Sequence, residues 1–105
     1  MDERRSEFRK PISHRGLVVV QGLELGCVIA DTSASGCKIK LDRPLSLPSD
    51  VTLIDLKTAT AHEARVMWSK AGEIGLKLTV SSILSGLTPQ RFAAARQVWL
   101  RHRGG

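Results

Sequence analysis

The stretch Asp31-Thr32-Ser33-Ala34-Ser35-Gly36-Cys37-Lys38-Ile39-Lys40-Leu41 decides the fold class. Its second half alternates strictly. In a strand, successive side chains point to opposite faces, so Cys37, Ile39 and Leu41 face a core while Lys38 and Lys40 face water. Its first half is a polar turn, Thr32 to Ser35, closed by Gly36. Serine and aspartate bond their own backbone in such turns, and glycine there supplies a positive φ. Before the turn, Gly26 to Asp31 reads as a strand with Cys27 and Ile29 on one face. Strand, polar turn and alternating strand make a β-hairpin.

The same punctuation recurs on both sides. Leu17 to Val20 is an apolar, β-branched run ended by Gly22. Asp42 to Asp50 carries Pro44 and Pro48 and reads as a loop. Val51 to Leu56 is a fourth strand, with Lys57 to Thr60 as its exit. Ala61 to Ser69 is a fifth, with Ala64, Val66 and Trp68 on one face and Arg65 and Met67 on the other. Lys70 to Glu73 is a tight turn, and Ile74, Leu76 and Leu78 alternate in a sixth strand. Six short strands at hairpin spacing predict a small antiparallel barrel or sandwich. A closed barrel leaves no exposed strand edge.

The ends differ from the middle. Residues 1–12 are charged and poor in apolar groups, with Pro11 blocking helix continuation, and read as a flexible basic arm. The domain proper spans 13–105. Near its end, Thr88 is the expected N-cap and Pro89 the first position of a helix over about 88–102. Phe92, Ala95 and Trp99 fall on one helical stripe, expected over the barrel mouth or against another protein, and Gly104 and Gly105 stop the helix.

Composition narrows the function. The chain has 105 residues, 42% hydrophobic and 25% charged, ordinary for one globular domain. No apolar run reaches the length of a membrane span, and no secretory signal precedes the domain, which favours the cytoplasm. Cys27 and Cys37 read as small buried residues rather than a disulfide. With His14, His62 and His102 they show no metal-ligand spacing, and no cofactor is expected. The net charge of +6 predicts an anionic partner. No Walker loop and no nucleophile elbow occur, so a binding protein is expected, not an enzyme.

Two segments carry binding chemistry. Arg4-Arg5-Ser6-Glu7-Phe8-Arg9 holds arginines whose planar donor forks match phosphate oxygens and the O6/N7 edge of guanine. Asp31, Ser33 and Gly36 supply a carboxylate that accepts from guanine N–H groups, a hydroxyl, and room for a base to approach the backbone. Each also has a plain structural reading, as a solvated arm and as a hairpin turn.

Together the segments resemble the PilZ domain family, whose signature is Arg-x-x-x-Arg followed by Asp/Asn-x-Ser-x-x-Gly. Arg5 and Arg9 match the first part, Arg4 the common doubled arginine, and Asp31, Ser33 and Gly36 the second. Val66-Met-Trp68 and Glu73-Ile-Gly75-Leu76 resemble the family's late strand pair. Leu76-Lys-Leu78 departs from it where an aromatic is common, with packing the expected consequence. The resemblance covers roughly residues 4–80. It implies a six-stranded antiparallel β-barrel with a C-terminal α-helix. It also implies cyclic di-GMP as ligand, often as an intercalated dimer, held by Arg4, Arg5, Arg9, Asp31, Ser33 and Gly36. On binding, the arm would order over the barrel and the chain would signal in trans to a downstream protein. The rival readings are a small basic barrel that binds single-stranded nucleic acid, and an interaction module without ligand.

Overall fold

The computed structural model describes residues 9–102. Six strands form the domain: β1 (Lys10–Val20), β2 (Leu23–Thr32), β3 (Gly36–Leu41), β4 (Asp50–Asp55), β5 (Thr60–Lys70) and β6 (Glu73–Ile83). All pairings are antiparallel, and the order β1-β2-β3-β6-β5-β4 closes on itself through β1 and β4. The expected barrel is therefore the fold.

Two tight hairpins have their physical basis in the turn residues. Gln21-Gly22 and Ala71-Gly72 each place both central residues at positive φ. That conformation matches strand twist and suits glycine at the second position. The strands run longer than the apolar runs suggest. β1 starts at Lys10, so the last three residues assigned to the arm belong to the barrel, while residues 1–8 lie outside the described residues.

Side chains divide into two apolar clusters on opposite faces of the wall. Val18, Cys27, Ile29, Cys37, Ile39, Leu53, Ile74 and Leu76 fill the barrel. Leu17, Ile54, Ala61 and Leu84 point outward and are covered by Phe92, Ala95, Val98 and Trp99. The terminal helix thus packs on the outer wall and not over the mouth. The reason is local: Leu17 and Ile54 make both faces of β1 and β4 apolar, so their outer face needs a cover.

The helix also starts later than expected. A 3₁₀ turn at Gln90–Phe92 is capped by Pro89 without a side-chain bond, and the α-helix α1 spans Ala93–His102. Thr88 is not the N-cap. Its Oγ1 donates back to the carbonyls of Ile83 and Gly86. The Gly104 and Gly105 stop lies outside the described residues.

Cys27 and Cys37 are free and buried, and burial pushes both thiols up to about 12. The thiolate is the reactive form. A disulfide-exchange reagent at about pH 8 should therefore leave both cysteines untouched in the native chain and titrate both after denaturation. Fast native reaction at either one would contradict the buried assignment.

Candidate functional site

Three strand irregularities shape the outer face of the barrel. Register along β2 shifts between Ile29 and Asp31, with Ala30 as the extra residue against β3. Strict alternation would send Asp31 inward beside Ile29. The bulge turns it outward instead, opposite Lys38. A second bulge, between Val66 and Trp68, does the same on β5. Val66 packs on the inner core, but Trp68 is turned out and is 46% exposed. The expectation that Trp68 shares one face with Ala64 and Val66 is therefore corrected, because the extra residue Met67 breaks the period. The third shift, between Pro11 and His14, leaves Pro11 paired with Asp31.

These shifts produce a row across four strands. Asp31 faces Lys38, Lys38 faces Gly75, and Gly75 faces Trp68. Residues directly opposite share a face, so the row lies on one outer surface. Gly75 is the seat of the tryptophan. A methyl group there would overlap the indole at Nε1 and Cε2.

Arg9 reaches this surface just before β1. Its Nη2 donates to Asp31 Oδ1 at 3.0 Å. Asp31 Oδ2 also lies 3.9 Å from Lys38 Nζ, which sits the same distance from Glu73. Arg9, Ser33, Gly36, Trp68, Gly75 and Lys77 line one open cavity of about 340 Å³. That is within the range of small-molecule sites. Lys77 is paired in register with Gly36 and has no ion-pair partner among the described residues. The cavity therefore offers a guanidinium, an ammonium and an aromatic face.

The turn residues are held as follows. Ser33 N–H donates to the Gly36 carbonyl at 2.8 Å, and Ser33 Oγ donates to the same oxygen at 3.3 Å. Leu78 N–H donates to the Ser35 carbonyl at 2.8 Å. Gly36 does not have the positive φ expected of it. It begins β3, where an added Cβ would stand 2.7 Å from the Leu76 carbonyl oxygen. Glycine is needed there because β6 approaches closely.

Of the six residues expected at the site, the fold brings Arg9, Asp31, Ser33 and Gly36 together. Arg4 and Arg5 lie outside the described residues. The sequence reading placed Trp68 on one face with Ala64 and Val66, assigned it no binding role, and did not single out Lys77. The Val-x-Trp and Ile-Gly motifs were the available signal for Trp68, since a strand glycine often marks a close approach.

The closed six-stranded antiparallel barrel with one packed helix thus gathers arginine, aspartate, serine and glycine on one outer face. The PilZ domain family profile matches residues 3–93, and the chain belongs to that family. The family as a whole is one of cyclic di-GMP receptors, ligand-binding and adaptor domains. No curated protein matches the chain.

Proposed function

We propose that this chain is a cyclic di-GMP receptor whose site is the outer surface between Arg9 and Trp68. The observation that carries the reading is the Arg9–Asp31 ion pair beside the cavity that Ser33, Gly36 and Trp68 line. The ligand has two phosphates and two guanines. Arg9 and Lys77 match the phosphates, Trp68 offers a stacking face, and Asp31 and Ser33 match the hydrogen-bonding edge of guanine. Arg4 and Arg5 join from the N-terminal arm, which orders over the barrel on binding. That ordering costs conformational entropy, which the charge-assisted bonds must exceed. The ordered arm then presents a new surface to a protein partner in trans. No helix among the described residues is long and apolar enough to cross a membrane.

The placement of the aromatic residues weakens the nucleic-acid alternative. Trp68 is exposed, but Phe92 and Trp99 are buried, so the described residues offer one stacking platform and not a track. Calorimetric titration with cyclic di-GMP should show saturable binding, with none for cyclic di-AMP or GTP. Equal binding of all three, or a steep salt slope with a single-stranded oligonucleotide and no response to cyclic di-GMP, would reverse the choice.

A further inference from the structure

The barrel has a second cavity at the open end of its interior, on the other side of the wall. Its volume is about 360 Å³, and Cys37 is the one lining residue it shares with the outer site. The floor is apolar, formed by Ile29, Leu53 and Leu78, but the rim is not. Lys10, His14, Asp55, Thr60 and His62 line it, an unusual polar group inside an otherwise apolar barrel. Register confirms that they point inward: His14 pairs with Ile29, His62 with Leu53 and Thr60 with Asp55.

The hydrogen-bond inventory decides what this cavity can take. Asp55 is the only carboxylate among the described lining residues, and it is saturated. Its Oδ2 is 2.8 Å from His14 Nδ1, and its Oδ1 accepts from the backbone N–H groups of Lys57 and Thr58 at 2.9 and 3.2 Å. His62 Nδ1 is 2.6 Å from Ser81 Oγ. The Nε2 atoms of both imidazoles have no hydrogen-bond partner among the described residues. Lys10 likewise has no ion-pair partner among them. The hydroxyls of Thr32, Thr58 and Thr60 already donate, to the Ser33 carbonyl, to Thr60 Oγ1 and to the Thr58 carbonyl. The unused capacity is thus an ammonium and two imidazole nitrogens, with the one negative charge already matched.

We infer that the barrel mouth is a binding site for a small oxyanion, a carboxylate or a tetrahedral anion, held by Lys10 Nζ and by the Nε2 atoms of His14 and His62. Its size sits at the lower end of small-molecule cavities. Binding draws a proton onto the His62 imidazole, because a protonated ring donates from both nitrogens. The groups facing these rings are Lys10 from β1, Thr32 from β2, Cys37 from β3, Asp55 from β4, Thr58 from the following turn, Thr60 from β5 and Ser81 from β6. Burial holds the His62 imidazole below its ordinary value, so the neutral ring prevails until an anion arrives. The site does not depend on the cyclic di-GMP reading.

Sulfate and acetate are suitable probes, since both keep their charge between about pH 6 and pH 8. Each should be titrated into the full chain against chloride at equal ionic strength, following backbone amide and imidazole NMR signals. Saturable shifts are expected at Lys10, Thr32, Thr60 and both histidine rings, with half-saturation at least about threefold lower at the acidic pH. Lys10→Met and His62→Gln should raise the half-saturation concentration about tenfold. Arg9→Ala should leave it unchanged. Lys10 is exposed, so its variant tests the site even if His62→Gln perturbs the barrel. Shifts no different from chloride, or shifts lost in Arg9→Ala but kept in Lys10→Met, would overturn the assignment.

The same burial has a second consequence, for stability. The folded chain holds His62 below its unfolded value, so the unfolded state binds the proton first on acidification. This cost is absent above the ordinary histidine value, near pH 6.5, and grows as pH falls below it toward the folded value. Urea midpoints should drop between about pH 7.5 and pH 5.5, and His62→Gln should flatten that drop. An unchanged slope in the variant would remove His62 as its source.

Discussion

Replacing Arg9 by alanine is expected to weaken cyclic di-GMP binding by roughly ten- to hundredfold. Hydrogen bonds to charged groups contribute about 1.5–3 kcal/mol each, and 1.4 kcal/mol is a factor of ten. Stability should barely change. The Arg9 side chain is 53% exposed, and exposed ion pairs contribute about 0.2–1 kcal/mol at most. Arg9→Lys separates charge from geometry, because it keeps the cation and loses the planar fork. It should fall between the parent and Arg9→Ala. Calorimetry on the three chains reads this directly. Parent affinity in Arg9→Ala would remove Arg9 from the site and leave its pairing with Asp31 as a structural contact only.

The second large effect concerns the tryptophan and its seat. Trp68→Ala should weaken binding by roughly five- to hundredfold, since stacking one base on an aromatic ring contributes about 1–3 kcal/mol. Gly75→Ala should approach that loss with Trp68 still present. Its methyl would occupy the space now held by the indole, and the half-exposed ring would swing off the sheet. Because the ring can move into solvent, the barrel itself should tolerate the change. Tryptophan emission should shift toward the red in Gly75→Ala, against a constant background from buried Trp99. If Gly75→Ala bound like the parent, Trp68 would not be a platform held in a fixed position.

Both expectations rest on features of unequal visibility in the sequence. The alternation of Cys37, Ile39 and Leu41 was legible because a strand with one face in a core must alternate. The apolar stripe of Phe92, Ala95 and Trp99 was legible for the corresponding helical reason. What that stripe covers was not, because a periodicity names the buried face and not its partner. Arg9, Asp31, Ser33 and Gly36 were found as a motif, yet the reason for Gly36 was misread. It is a matter of the space left by the Leu76 carbonyl, set by a strand forty residues away in sequence.

The sequence by itself determined the strand class, the number of strands, the inward faces of β2, β3 and β6 and the residue types of the candidate site. Those are local properties of spacing and side-chain chemistry. Only the tertiary structure decided which way Asp31 and Trp68 point. Each follows a bulge, at Ala30 and at Met67, and one extra residue reverses every later side chain on that strand. A bulge exists only relative to its partner strand, so no periodicity within a single strand reveals it. The stretch from Asp31 to Leu41 therefore announces the barrel, while its neighbours on β1 and β3 set its first residue on the outer face beside Arg9 and Lys38.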